Sequence, residues 1–194
     1  SLGLKTKDSV VLGSFKPIMP LAVTESYKKI WIIDDHIALV SSGSLADARE
    51  LVRVARTKAQ INRITYGEPI SVYTLTKYIV DRKHMVTQYA GVRPYGVGLL
   101  IGGVQGDGPK LFETEPSGTM LEWKAQAIGR GADAAKKVLV SGYKDGMNND
   151  EAVKLLLKAL KTGEKKLAPE STEVVIVGEK GNRMLSVEEV KGFM

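Results

Sequence analysis

Short β-rich runs and paired amphipathic helices alternate along this chain, and that order leaves few ways to fold it. The first forty residues carry apolar runs over 2–5, 10–14, 29–33 and 36–42, broken by polar residues 6–8 and by the turn signal Asp34-Asp35. Helical periodicity then covers 47–65 and 72–89, with Gly67, Glu68 and Pro69 between the two stretches. Strand patterns return over 95–104, 110–113 and 120–128, punctuated by the turns GDGP at 106–109 and PSG at 116–118. Pro94 restricts Arg93 to extended backbone, and the apolar run 97–101 reads as a buried strand broken by Gly98. Helices over 132–142 and 149–160, strands over 173–178 and 184–186, and a short terminal helix complete the pattern. A sheet with one buried face needs a partner layer. Two sheets face to face, each with a helix pair outside, satisfy all the elements in a four-layer αββα sandwich of the α/β (α+β) class. No linker, low-complexity tract or repeat divides residues 1–194, so one domain is expected.

A chain of 194 residues with 43% hydrophobic content can bury roughly two thirds to three quarters of its unfolded surface in one core. No apolar run approaches the ~20 residues of a membrane span and no leader pattern opens the chain, so a soluble cytoplasmic protein is expected. The absence of cysteine excludes disulfides and thiolate chemistry, and the two histidines, His36 and His84, lie too far apart in sequence to suggest a metal site. Both are expected to be structural, and no cofactor is expected.

The net charge of +6 matters through its distribution. On a helical wheel Arg49, Arg53, Arg56 and Arg63 share one face, with Leu51, Val54, Ala55 and Ile61 opposite. Clustered arginines attract phosphates, but Asp47 and Glu50 share this helix and no aromatics interleave for base stacking. A solvated or subunit-facing basic surface is the expectation, with no specific nucleic-acid partner. The segment Gly129-Arg130-Gly131-Ala132-Asp133-Ala134 loosely matches a dinucleotide fingerprint, but Ala134 replaces its last glycine and Arg130 intrudes where bare backbone should meet pyrophosphate. Close packing accounts for those glycines.

Three blocks carry a family resemblance. They are TQYAGVRPYGVGLLIGG at 87–103, SSGSLADARELVRVARTKAQINRITYGEPI at 41–70, and KLFETEPSGTMLEWKAQAIGRGADAA at 110–135 with its Glu-Pro-Ser-Gly turn. Together the chain resembles archaeal-type proteasome α subunits. The resemblance implies the αββα sandwich of N-terminal-nucleophile hydrolases, in agreement with the pattern above. It also implies a non-catalytic subunit of an outer, seven-fold α ring that controls substrate entry. The implied partners are neighbouring α subunits, β subunits, ATPase regulators with C-terminal carboxylates, and unfolded proteins in transit. Relatives extend beyond both ends of this chain, so the match reads as trimmed at both termini, without the N-terminal gate.

Catalytic members of the superfamily use their first residue as nucleophile and its amine as base. By the family match Ser1 stands two places beyond the β-type catalytic threonine. Phe15 and Pro17 stand where those subunits carry an acid and an arginine, and Arg130 replaces an activating serine. Lys29 matches the β-type lysine, and Glu173 a late aspartate. A catalytic N-terminal serine and a basic nucleic-acid adaptor are the alternatives to a structural subunit. The resemblance gives Lys29, in the context ESYKKIWIID from Glu25 to Asp34, a role in a pocket that pairs with a regulator's terminal carboxylate. Gly43 and Ser44 belong to the adjoining turn, where Ser44 replaces a leucine, and Tyr89 matches a gate-associated tyrosine.

Overall fold

The computed structural model describes residues 1–23, 26–164 and 167–194; Glu25 lies outside the described residues. The elements in chain order are β1 (Leu2–Lys5), β2 (Ser9–Phe15), β3 (Ile30–Asp34), β4 (Ile37–Gly43), α1 (Leu45–Tyr66), α2 (Val72–Thr87), β5 (Val97–Gln105), β6 (Gly108–Thr114), β7 (Met120–Glu122), β8 (Ala125–Ala127), α3 (Ala132–Gly142), α4 (Asn149–Gly163), β9 (Thr172–Gly178), β10 (Gly181–Met184) and α5 (Val187–Phe193). They build two sheets, ordered β10-β9-β2-β1-β8 and β3-β4-β5-β6-β7, antiparallel at every pairing.

Alternation along each strand sorts side chains into three apolar layers. Val10 and Leu12 of β2 meet Val40 of β4, Leu100 of β5 and Val175 of β9 between the sheets. Val11, one residue out of phase, faces the other way into the layer that holds Leu156 of α4 and Leu139 of α3. Leu39, Leu99 and Ile101 pack outward on the second sheet against Leu51 of α1 and Leu75 and Ile79 of α2. The order is therefore helices, sheet, sheet, helices, the expected αββα sandwich. Leu100 is fully buried, and truncating such a leucine to alanine costs about 2–5 kcal/mol. Side-chain caps set the helix starts: Ser44 accepts from the Asp47 amide, Ser71 from Thr74, and Asn148 forms a reciprocal capping box with Glu151.

Several boundaries differ from the sequence reading. The run 120–128 is two strands, β7 on the second sheet and β8 on the first. The crossing lies between Trp123, whose amide still donates to Leu111 of β6, and Lys124, whose carbonyl accepts from Lys5 of β1. Gly98 does not break β5; it pairs with Ser42 in continuous register, and a side chain there would meet nothing closer than 3.7 Å. The last strand is Gly181–Met184, closed as a hairpin on β9, while Ser186 caps α5. Ile61 is 52% exposed, because α1 stops burying side chains after Ala59 and its final turns run past the core.

Candidate functional site

A cavity of about 530 Å³ opens where β1 and α3 begin and where β4 and α4 end. Ser1, Phe15, Pro17, Lys29, Gly43 and Arg130 are among its lining residues. The residues that the sequence singled out as matching a catalytic centre, Ser1, Phe15, Pro17, Lys29 and Arg130, thus converge although they are spread over the chain. Glu173 sits behind the wall. One of its carboxylate oxygens lies 3.2 Å from the Lys16 ammonium and the other accepts from the Lys29 backbone amide at 3.4 Å. Both side chains of the Lys16–Glu173 pair are largely enclosed, 11% exposed for Lys16 and 16% for Glu173; the pair joins the end of β2 to β9, and the Lys29 amide ties the residue before β3 to the same carboxylate.

Lys29 donates from Nζ to the Phe15 carbonyl at 2.9 Å. Burial pushes its pKa below the usual lysine range; Glu173 opposes that shift and Arg130 adds to it. The ammonium is thereby fixed by a neutral oxygen and keeps donors for a ligand. The Ser1 hydroxyl donates to the Ser41 carbonyl at 2.9 Å and lies 3.0 Å from the Ser14 hydroxyl. Its proton therefore points to an amide oxygen, and the phenyl ring of Phe15 and the ring of Pro17 supply neither charge nor proton transfer. The half-buried Lys29 ammonium can hold an anion in this cavity.

The remaining expected site residues divide. Gly43 lines the cavity at φ 119°, and a Cβ there would fall 2.3 Å from the Gly96 carbonyl, so only glycine fits. Ser44 instead spends its hydroxyl on capping α1 and its amide on the Gly96 carbonyl at 2.8 Å. Tyr89 lies beyond the end of α2 and is 60% exposed. The loop that carries it is tied down through Arg93, which forms two hydrogen bonds to Asp47. Sequence reading treated Asp47 only as an acid on a basic helix.

The arginine face of α1 is mostly engaged within the chain. Arg53 donates twice to Glu50, Arg56 twice to the Ile32 carbonyl at 2.9 and 2.7 Å, and Arg63 to Asp34 at 2.8 Å. The Arg56 and Arg63 bonds clamp the helix to β3, while Arg49, Arg53 and Arg56 remain exposed on the outer side of α1. His36 is buried, and its Nε2–H donates to the Ile70 carbonyl at 2.8 Å. Among the described residues no helix is long and apolar enough to cross a membrane. The fingerprint-like glycines belong to packing: Gly131, which starts α3, meets Gly163, which ends α4.

Comparison with known proteins finds a family and named relatives. A protein-family model described as proteasome subunit matches residues 1–177. Proteasome subunit alpha of Pyrococcus abyssi is 49% identical over 197 aligned positions, covering 100% of this chain and 75% of the relative. Proteasome subunit alpha of Methanothermobacter thermautotrophicus is 47% identical, covering 98% of this chain and 79% of the relative. The protein of the same name from Thermococcus sibiricus is 49% identical, covering 98% and 74%.

Proposed function

The chain belongs to the proteasome subunit family, and we propose that it is a non-catalytic α-type subunit, a structural component of the outer ring of the proteasome core. The carrying observation is the cavity around Ser1, lined by Phe15, Pro17 and Arg130, which by the family match stand where an acid, an arginine and a serine would activate a nucleophile. Identity near one half to relatives named proteasome subunit alpha supports the same reading. In this role residues 1–194 act as one domain, assemble with like subunits into a seven-fold ring in the cytoplasm, and stack on a β ring through which unfolded substrates pass. Lys29 and Gly43, with Ser44 beside them, form this subunit's share of a pocket for the C-terminal carboxylate of an ATPase regulator. A half-buried ammonium held by the Phe15 carbonyl, on a backbone whose amide donates to Glu173, suits a chain-terminal carboxylate. Tyr89 has the gate-associated role on the loop that Arg93 anchors.

Native mass spectrometry of the full-length protein, alone and mixed with β-type subunits, is the deciding experiment. Heptameric or stacked double rings are expected. A monomer with serine-dependent amidase activity would overturn the assignment.

A further inference from the structure

The side chain of Lys83 on α2 is fully buried, and its Nζ donates to the Val97 carbonyl at 2.9 Å, to the Thr114 hydroxyl at 2.8 Å and to the Thr114 carbonyl at 3.2 Å. Among the described residues it forms an ion pair with no carboxylate. Strand register explains why a donor is needed there. Leu99 of β5 pairs with Thr114, the last residue of β6, so Pro116 stands opposite Val97 in the continued register. Proline has no N–H, and the carbonyl of Val97, the first residue of β5, is left to the lysine.

These bonds join two segments that lie at the surface. Residues 88–94, between α2 and β5, are all exposed, and so are Glu115, Pro116 and Ser117 of the turn after β6. The loop is also tied through Arg93 and Gly96 to Asp47, and the turn rests on α2 at Gly118, where a Cβ would lie 2.8 Å from the His84 Cβ and 2.9 Å from the Val80 carbonyl. None of these partners belongs to the apolar layer between the sheets, so the loop and turn can lift from α2 while the sheets stay packed. Once lifted, the amino group meets water. Burial lowers its pKa from 10.5 to about 7, so opening takes up a proton, and closure strengthens about tenfold for each pH unit within that interval.

We propose that Lys83 makes the 88–96 loop and the 115–119 turn a proton-triggered latch, closed by its three hydrogen bonds and opened with proton uptake at the released side chain. Around it, α2 contributes Arg82 and His84, α1 Asp47 and Glu50, the loop Tyr89, Arg93 and Tyr95, β6 and its turn Glu113 and Glu115, and β7 Glu122; β5 carries no titratable side chain. Asp47 is engaged by Arg93, Glu50 by Arg53 and Arg82, Tyr95 by Arg82, Glu113 by Gln126 and Glu122 by Lys5. Glu115 favours the charged lysine weakly, and His84 is the neighbour that a variant must separate from Lys83. Tyr89 rides on this loop, but the latch does not depend on the role proposed for it.

Millisecond hydrogen exchange read by mass spectrometry tests the latch on the assembled full-length protein between pH 7 and 9, with each rate divided by the intrinsic rate of the unfolded peptide. The Gly96, Glu115 and Gly118 amides are hydrogen-bonded in the closed state and report it. Their protection in the parent should rise about tenfold per pH unit, while the Val190 amide, bonded to Ser186 in the opposite helical layer, should stay flat. Lys83→Met should remove the slope and His84→Gln should keep it. If Lys83→Met does not fold, the contrast within the parent decides. Flat protection of the loop and turn in the parent, an equal slope at Val190, a slope that survives Lys83→Met or one that is lost in His84→Gln overturns the proposal.

Discussion

Asp47 and Arg93, 46 residues apart, join through a two-pronged ion pair of 2.7 and 2.8 Å, and the same carboxylate accepts the Gly96 amide at 2.8 Å. One side chain in the first turn of α1 thus sets the path of the loop between α2 and β5. The Arg93 hydrogen bonds hold the Asp47 carboxyl down to about 2, from 3.8, against a smaller opposing effect of burial. A depressed acid stabilises the fold above its unfolded pKa and loses that contribution as pH falls toward the folded one. Solvent at the exposed Arg93 screens the pair, so roughly 1 kcal/mol is expected to disappear between about pH 4 and pH 2. Denaturant titrations of parent and Asp47→Asn over this range should converge as pH falls. Parallel curves would show that the pair contributes nothing to the acid limb.

Lys83 gives the same sign of slope in a higher pH range, but from a shift that costs stability instead of adding to it. Its side chain is fully buried, and Nζ donates to the Val97 carbonyl at 2.9 Å, to the Thr114 hydroxyl at 2.8 Å and to the Thr114 carbonyl at 3.2 Å. Burial lowers its pKa to about 7, with Glu115 pulling weakly the other way. From about pH 7 to pH 10 the unfolded chain binds a proton at this lysine that the folded chain does not, so stability should rise with pH, by up to roughly 4 kcal/mol. Urea midpoints measured from pH 6.5 to 9.5 should climb in the parent and stay flatter in Lys83→Met. The slope is diagnostic because the substitution also leaves three oxygens without their donor. Equal slopes in the two proteins would mean that Lys83 titrates outside this window.

The architecture was legible because its signals are local. The boundaries of β1 and α3 match the sequence reading, since Gly131 and Gly142 bracket α3 and polar residues 6–8 end the run of β1. Sheet membership is not local. Nothing in 120–128 tells β7 from β8, because the crossing at Trp123 and Lys124 is set by which distant strand, β6 or β1, each residue bonds to. The partners of two α1 arginines were not legible for the same reason, as Arg56 finds its partner 24 residues away and Arg63 its partner 29 away. The gathering of Ser1, Phe15, Lys29 and Arg130 was visible only through the family resemblance. The buried ammonium of Lys83 left no signal, because lysine near a helix end ordinarily reads as solvent-facing.

The purified chain is expected not to hydrolyse peptides. The Ser1 proton faces the Ser41 carbonyl, and the side chains of Phe15 and Pro17 offer no acid or base. Fluorogenic peptide assays with and without Ser1→Ala should give the same baseline. Activity abolished by that substitution would return the chain to the catalytic class.

Lys28 and Lys29 are adjacent, yet the structure treats them differently: Lys28 is exposed, while Lys29 lines the cavity with Nζ on the Phe15 carbonyl. A desolvated, hydrogen-bonded charge pair loses about 2–5 kcal/mol when one partner is truncated, and an exposed pair about 0.2–1 kcal/mol. Lys29 is only half-buried, so the lower part of the first range applies. Lys29→Ala should therefore weaken binding of an ATPase regulator about tenfold or more, while Lys28→Ala changes it little. Ring assembly should survive both changes, because neither lysine forms a side-chain ion pair within the described residues. Assembly and regulator affinity are separable on reconstituted full-length particles, the first by native mass and the second by titration. Loss of affinity in Lys28→Ala alone would move the pocket to the outer face of this strand. If both variants bind as the parent does, the cavity has no part in docking, and Lys29 serves only to brace Phe15 against the start of β3.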